Sequence, residues 1–123
     1  MKRFKYKLNT VLKLRDFEKK KVEIELGQVN KTIKDIEDLV KEIYIQIKTT
    51  QEEVNRSDSN KKLDNSLIKY FPQFLKAKNK EVEIEKEKLQ KFYKDRDSIL
   101  EHLKEVSGKY KILEKDKEKK KLL

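Results

Sequence analysis

Fourteen positions in the first half of this chain keep one unbroken 4-3 spacing: Leu8, Leu12, Arg15, Lys19, Val22, Leu26, Val29, Ile33, Ile36, Val40, Ile43, Ile47, Thr50 and Val54. Most of them are apolar. A mean step of 3.5 residues holds one narrow stripe of a helix against a partner helix as the two supercoil left-handed. Such a seam favours holding, joining or spacing other molecules over enclosing a reaction.

A second stripe with the same spacing runs through Ile68, Phe71, Leu75, Lys78, Val82, Glu85, Leu89, Phe92, Arg96, Ile99, Leu103, Val106, Tyr110 and Leu113. Between the two lies Asn55-Arg56-Ser57-Asp58-Ser59-Asn60. Its side chains hydrogen-bond their own backbone and favour turns. Two matched seams joined by a short polar segment predict an all-α fold: one domain over residues 1–123, a long two-helix antiparallel coiled-coil hairpin. The expected bounds are helix 1 over about 9–55, a tip loop over about 56–63 and helix 2 over about 64–117. Asn9 or Thr10 is the expected cap of helix 1. Pro72 lacks an amide hydrogen and crowds the preceding turn, so helix 2 is expected to kink or to start there. The basic termini are expected to fray.

Composition agrees with long helices. Of 123 residues, 46% are charged and 35% hydrophobic, with only two glycines and one proline to interrupt a helix. Even placement of the Ile, Leu and Val argues against a disordered chain of the same polarity. Gly27 falls beside the first seam, as a tolerated surface glycine or a mark of close helix approach. The chain has no cysteine, so disulfides and thiolate metal sites are excluded. No apolar run is long enough to span a bilayer, and Met1–Lys7 is basic without the apolar core of a signal peptide. A cytoplasmic protein is expected.

A turn centred near residue 60 makes facing residue numbers sum to about 120. Arg15 is then expected near Glu105, Lys19 near Glu101, Lys78 near Glu42, and Arg96 near Glu23 and Glu25. Within each helix, Asp16–Lys20, Glu37–Lys41, Glu52–Arg56 and Glu87–Lys91 have the favourable acid-before-base spacing.

Catalytic chemistry finds no foothold in the pattern. His102 is the only histidine and lacks companions for a triad or a metal site. No glycine-rich phosphate loop occurs. The carboxylate pairs fall on helix faces without a cleft to separate their pKa values. The chain is read as a non-enzyme with no cofactor and no metal.

The net charge of +10 is partly gathered at the ends, in Lys2, Arg3, Lys5 and Lys7 and in Lys115, Lys117, Lys119, Lys120 and Lys121. A hairpin brings these together into a cationic cluster that attracts nucleic acid, anionic lipid or an acidic protein surface. Apolar residues off the seams form two further groups. Tyr44, Ile45, Tyr70, Phe74 and Ile84 lie toward the tip; Val11, Leu14, Phe17 and Ile24 lie toward the termini. Apolar clusters left outside a seam often mark partner surfaces.

The opening Phe4-Lys5-Tyr6-Lys7-Leu8-Asn9-Thr10-Val11-Leu12-Lys13-Leu14-Arg15-Asp16 resembles that of FliJ-type flagellar export proteins, with an aromatic, spaced leucines and then Arg beside an acid. Phe71-Pro72-Gln73-Phe74-Leu75 is similar to that family's aromatic segment beyond the tip, and Lys109–Lys115 to its lysine-rich ending. The resemblance implies a stalk-like antiparallel coiled coil of the type III protein export machine. It implies a cytoplasmic location peripheral to the inner membrane, and a monomeric free form. The implied partners are the export ATPase hexamer, the export-gate membrane protein and export chaperones. Carried onto this chain, the ATPase end comprises Leu8, Leu12, Arg15, Lys115, Lys117, Lys119 and Lys120. The export-gate patch comprises Tyr44, Ile45, Tyr70 and Phe74. The neighbouring patch positions align with Lys78, Glu81 and Glu85, charged where the family can be apolar. The alternative reading is a basic coiled-coil nucleic-acid binder or a generic scaffold.

Overall fold

In a computed structural model the chain is all-α, with two long helices packed against each other as a hairpin. α1 spans Lys2–Ser59 and α2 spans Ser66–Lys121. The structure describes the backbone of residues 2–59 and 66–121, and the side chains of 6–57 and 66–118.

The seams set the packing. All fourteen positions of the first stripe and all fourteen of the second are buried or half-buried. The most buried are Leu12, Val22, Ile33, Val40, Ile43, Val82, Leu89 and Val106. None of these side chains is fully enclosed, as two helices can cover each other along one line only. The first stripe continues one step further, to Ser57, which is buried.

The helices divide into two compact units. The first joins Met1–Lys31 to Tyr93–Leu123, so both terminal segments belong to one packed body. Leu12, Val22, Leu89 and Val106 show the pattern: only the first, second and fourth lie in this unit, and all three are seam residues. The second unit is Thr32–Phe92. Its core is Val40, Ile43 and Val82, with Ile47 packed against them.

Several expected boundaries are corrected. α1 begins at Lys2, not at Asn9 or Thr10. Thr10 does not cap the helix. Its hydroxyl donates to the Tyr6 carbonyl at 2.9 Å, the back-bond open to a threonine inside a helix. The segment expected to turn is also helical, and its Ser57 is satisfied in the same way. The Ser57 hydroxyl donates to the Glu53 carbonyl at 2.9 Å, and helix persists to Ser59. The rest of the expected tip, residues 60–63, and the expected first residues of helix 2, 64 and 65, lie outside the described residues. α2 starts at Ser66 and runs through Pro72 without a break, so Pro72 is not its first residue. Pro72 stands in the second turn, where its missing amide removes one helical bond, to the carbonyl of Ile68.

Register is also corrected. In the first unit the Lys19 ammonium lies 5.5 Å from the centre of the Tyr110 ring, so these facing numbers add to 129. In the second, Lys86 lies 5.6 Å from the Tyr44 ring, adding to 130, while the core packing of Val82 with Val40 and Ile43 adds to 122 and 125. The facing sums thus run from just above the expected 120 to about 130, and α1 stays helical through Asn55–Ser59, most of the segment expected to turn.

Candidate partner-binding surfaces

The seam cations do not meet the acids expected for a facing sum of about 120. Arg15 Nη1 donates to Glu18 Oε2 at 2.9 Å on its own helix, not to Glu105. Lys78 Nζ pairs with Glu81 at 3.4 Å, not with Glu42. Arg96 pairs with Asp97 at 3.8 Å and lies 4.9 Å from the centre of the Tyr93 ring. Lys19 uses Tyr110 rather than Glu101. The seam acid Glu85 is held by Lys88 at 3.2 Å. Neighbours three or four residues apart need little side-chain ordering to meet, whereas a partner across the seam must match in register. Of the expected i,i+4 pairs, Asp16–Lys20 closes at 3.1 Å.

The ATPase-end residues fall in the first unit. Leu12 is buried and Leu8 and Arg15 are half-buried, so these three face the seam. Lys115 is exposed and Lys117 half-buried. The side chains of Lys119 and Lys120 lie outside the described ones. Asn9, Leu12, Lys13, Asp16, Tyr110 and Lys117 line an open cleft in this unit. Lys117 and Lys13 thus reach one shallow depression from the two terminal segments.

The export-gate residues fall in the second unit. Tyr44, Ile45 and Tyr70 are exposed, at 45%, 64% and 60%, and Phe74 is half-buried. Ile45 and Phe74 meet across a shallow groove that Gln46, Thr49, Thr50 and Lys78 complete. Thr49 does not present a free hydroxyl there, because it donates to the Ile45 carbonyl at 2.8 Å. Phe74 stacks on Phe71, with centroids 6.3 Å apart, and Lys78 lies 5.8 Å from the Phe74 ring. Tyr70 does not line this groove, and Tyr44 faces Lys86 beside it. The structure therefore unites Ile45 and Phe74 and leaves Tyr44 and Tyr70 as separate aromatic exposures.

Sequence reasoning did not find the role of Lys78 here. Its seam position pointed to a charge facing the other helix. The signal available was its position four residues after Phe74, the spacing at which a lysine can lie along an aromatic face of the same helix.

Among the described residues no group of His, Asp or Glu is arranged to hold a metal ion, and no helix is long and apolar enough to cross a membrane. Comparison with known proteins gives no match: no family model, no curated protein and no solved structure is similar to this chain.

Proposed function

We propose that this chain is a non-catalytic stalk of a flagellar type III protein export apparatus, binding the export ATPase ring and linking it to the export gate and its chaperones at the cytoplasmic face of the inner membrane. One observation carries the reading. The Phe4–Asp16 segment, which resembles the opening of FliJ-type proteins, packs in one compact unit with the lysine-rich C-terminal segment. A pair of helices with both chain ends in one body, and lysines on each, is suited to enter a ring whose lumen presents acidic or polar groups.

In this reading Lys13, Lys115 and Lys117 make the ring contacts, while Leu8 and Leu12 hold the helix pair together beneath them. The Ile45–Phe74 groove, with Tyr44 beside it, forms the second contact. Its apolar walls suit a short aliphatic or aromatic segment of the export gate.

The test is direct. The purified chain is mixed with the export ATPase from the same organism, and ring assembly and ATP turnover are followed. The proposal expects both to rise. It expects the rise to weaken in Lys13→Glu Lys117→Glu. No binding, with assembly and turnover unchanged, overturns it.

A further inference from the structure

Opposite the seam, the first part of α1 carries a second stripe that the hairpin leaves uncovered. Successive helical residues turn by about 100°. In the heptad frame set by Leu8, Leu12, Arg15 and their successors, the positions farthest from α2 over residues 6–31 include Tyr6, Leu14, Phe17 and Ile24. All four are exposed, at 76%, 56%, 67% and 63%. The charged residues on that outer face are Lys7, Lys13, Lys20, Lys21 and Lys31, all exposed. No aspartate or glutamate stands among them. The acids of this stretch, Asp16, Glu18, Glu23 and Glu25, occupy the edges beside the seam, where Asp16 and Glu18 are paired with Lys20 and Arg15. The outer face of α2 in the same unit is different. It mixes Lys94, Lys104, Lys111 and Lys115 with Asp97, Glu101, Glu105 and Glu118, and has Ile112 as its only large aliphatic residue.

We infer that the outer face of α1 over residues 6–31 binds anionic phospholipid, lying along the headgroup layer with Tyr6, Leu14, Phe17 and Ile24 dipped toward the acyl chains and the five lysines at the phosphates. Charge complementarity selects this occupant. A bilayer is an extended anionic plane with an apolar layer beneath, and an amphipathic helix with lysines around an aromatic and aliphatic stripe is the form that binds it. A second copy of this face is disfavoured, because five lysines would oppose five lysines. Nucleic acid offers the phosphates but nothing for Leu14 and Ile24 to enter. The helix rests on the bilayer rather than crossing it, since among the described residues no helix is apolar enough to span. The inference uses none of the residues assigned to the export gate and shares only Lys13 with the proposed ring contacts.

The test is co-sedimentation of the full chain with vesicles of phosphatidylglycerol and phosphatidylcholine in equal parts, and with phosphatidylcholine alone. Binding is expected to the mixed vesicles and not to the neutral ones. Each lysine near an anionic surface contributes a factor of about five to affinity, so Lys7→Gln Lys20→Gln Lys21→Gln should weaken binding roughly 100-fold. The matched triple on α2, Lys94→Gln Lys104→Gln Lys111→Gln, removes the same charge and should weaken it far less. Phe17→Ser Ile24→Ser should also release the chain from mixed vesicles, with helix content unchanged by circular dichroism because both side chains are exposed. Equal losses from the two lysine triples overturn the inference, as does binding indifferent to Phe17 and Ile24. Failure to bind mixed vesicles, with duplex DNA bound instead through the same lysines, also overturns it.

Discussion

Gly27 and Gly108 lie within the helices of the first unit, and a methyl group built on either meets no atom within 4 Å. Neither has a positive φ, so neither conformation requires glycine. The double variant Gly27→Ala Gly108→Ala therefore changes helix propensity and little else. Glycine inside a helix costs about 0.8–1 kcal/mol relative to alanine, mostly through the backbone freedom it gives the unfolded chain. Two independent sites should then stabilise the fold by about 2 kcal/mol. Unfolding entropy near 2.1 cal/mol/K per residue, over 123 residues, turns each kcal/mol into about 4 °C, so Tm should rise by about 8 °C. Thermal melts followed by circular dichroism, with each single variant alongside the double, give the measurement. A lower Tm for either single variant would refute the reasoning. It would mean that the site is occupied or that the chain there is not helical.

Further substitutions probe other parts of the fold. Ile43→Ala empties the tightest point of the second unit, where Val40 and Val82 meet it, and should cost about 2–4 kcal/mol in urea melts. Ile45→Ala, two residues on but 64% exposed, should change stability by less than about 0.5 kcal/mol. Pro72→Ala restores one helical amide in the second turn of α2 and should stabilise by about 1–3 kcal/mol, read by the same melts. Arg15→Ala breaks a half-exposed pair with Glu18 and should cost no more than about 1 kcal/mol, shrinking as salt is added.

The seams were legible because burial in a two-helix fold depends on one periodicity, and every position on the 4-3 spacing is sheltered, even Lys78, Glu85 and Arg96. The ends of the helices were not. Asn55–Ser59 is rich in residues that favour turns, yet Ser57 satisfies its hydroxyl on Glu53 and extends the seam. Local preference lost to the continued packing of α1. The expected register paired Arg15 and Lys78 with acids they do not meet. Charge pairing could not correct it, because in a chain this rich in charge almost any register offers opposite signs. Of the candidate surfaces, the exposure of Tyr44, Ile45 and Tyr70 followed from their positions off the seam. The sequence placed Ile45 and Phe74 in one patch; that Tyr44 and Tyr70 stand apart from their groove needed the structure. The acid-free outer face of α1 over residues 6–31 was present in the sequence, but it shows only once the seam direction fixes which residues face away.

A chain without native cysteine lends itself to one decisive measurement. Cysteines at positions 19 and 110, joined by a short bifunctional maleimide in dilute solution, report whether one molecule closes on itself in the observed register. The account predicts an efficient bond within single chains for 19 with 110, and a poor one for 19 with 101. Bonds formed only between chains, or a preference for 101, would contradict it.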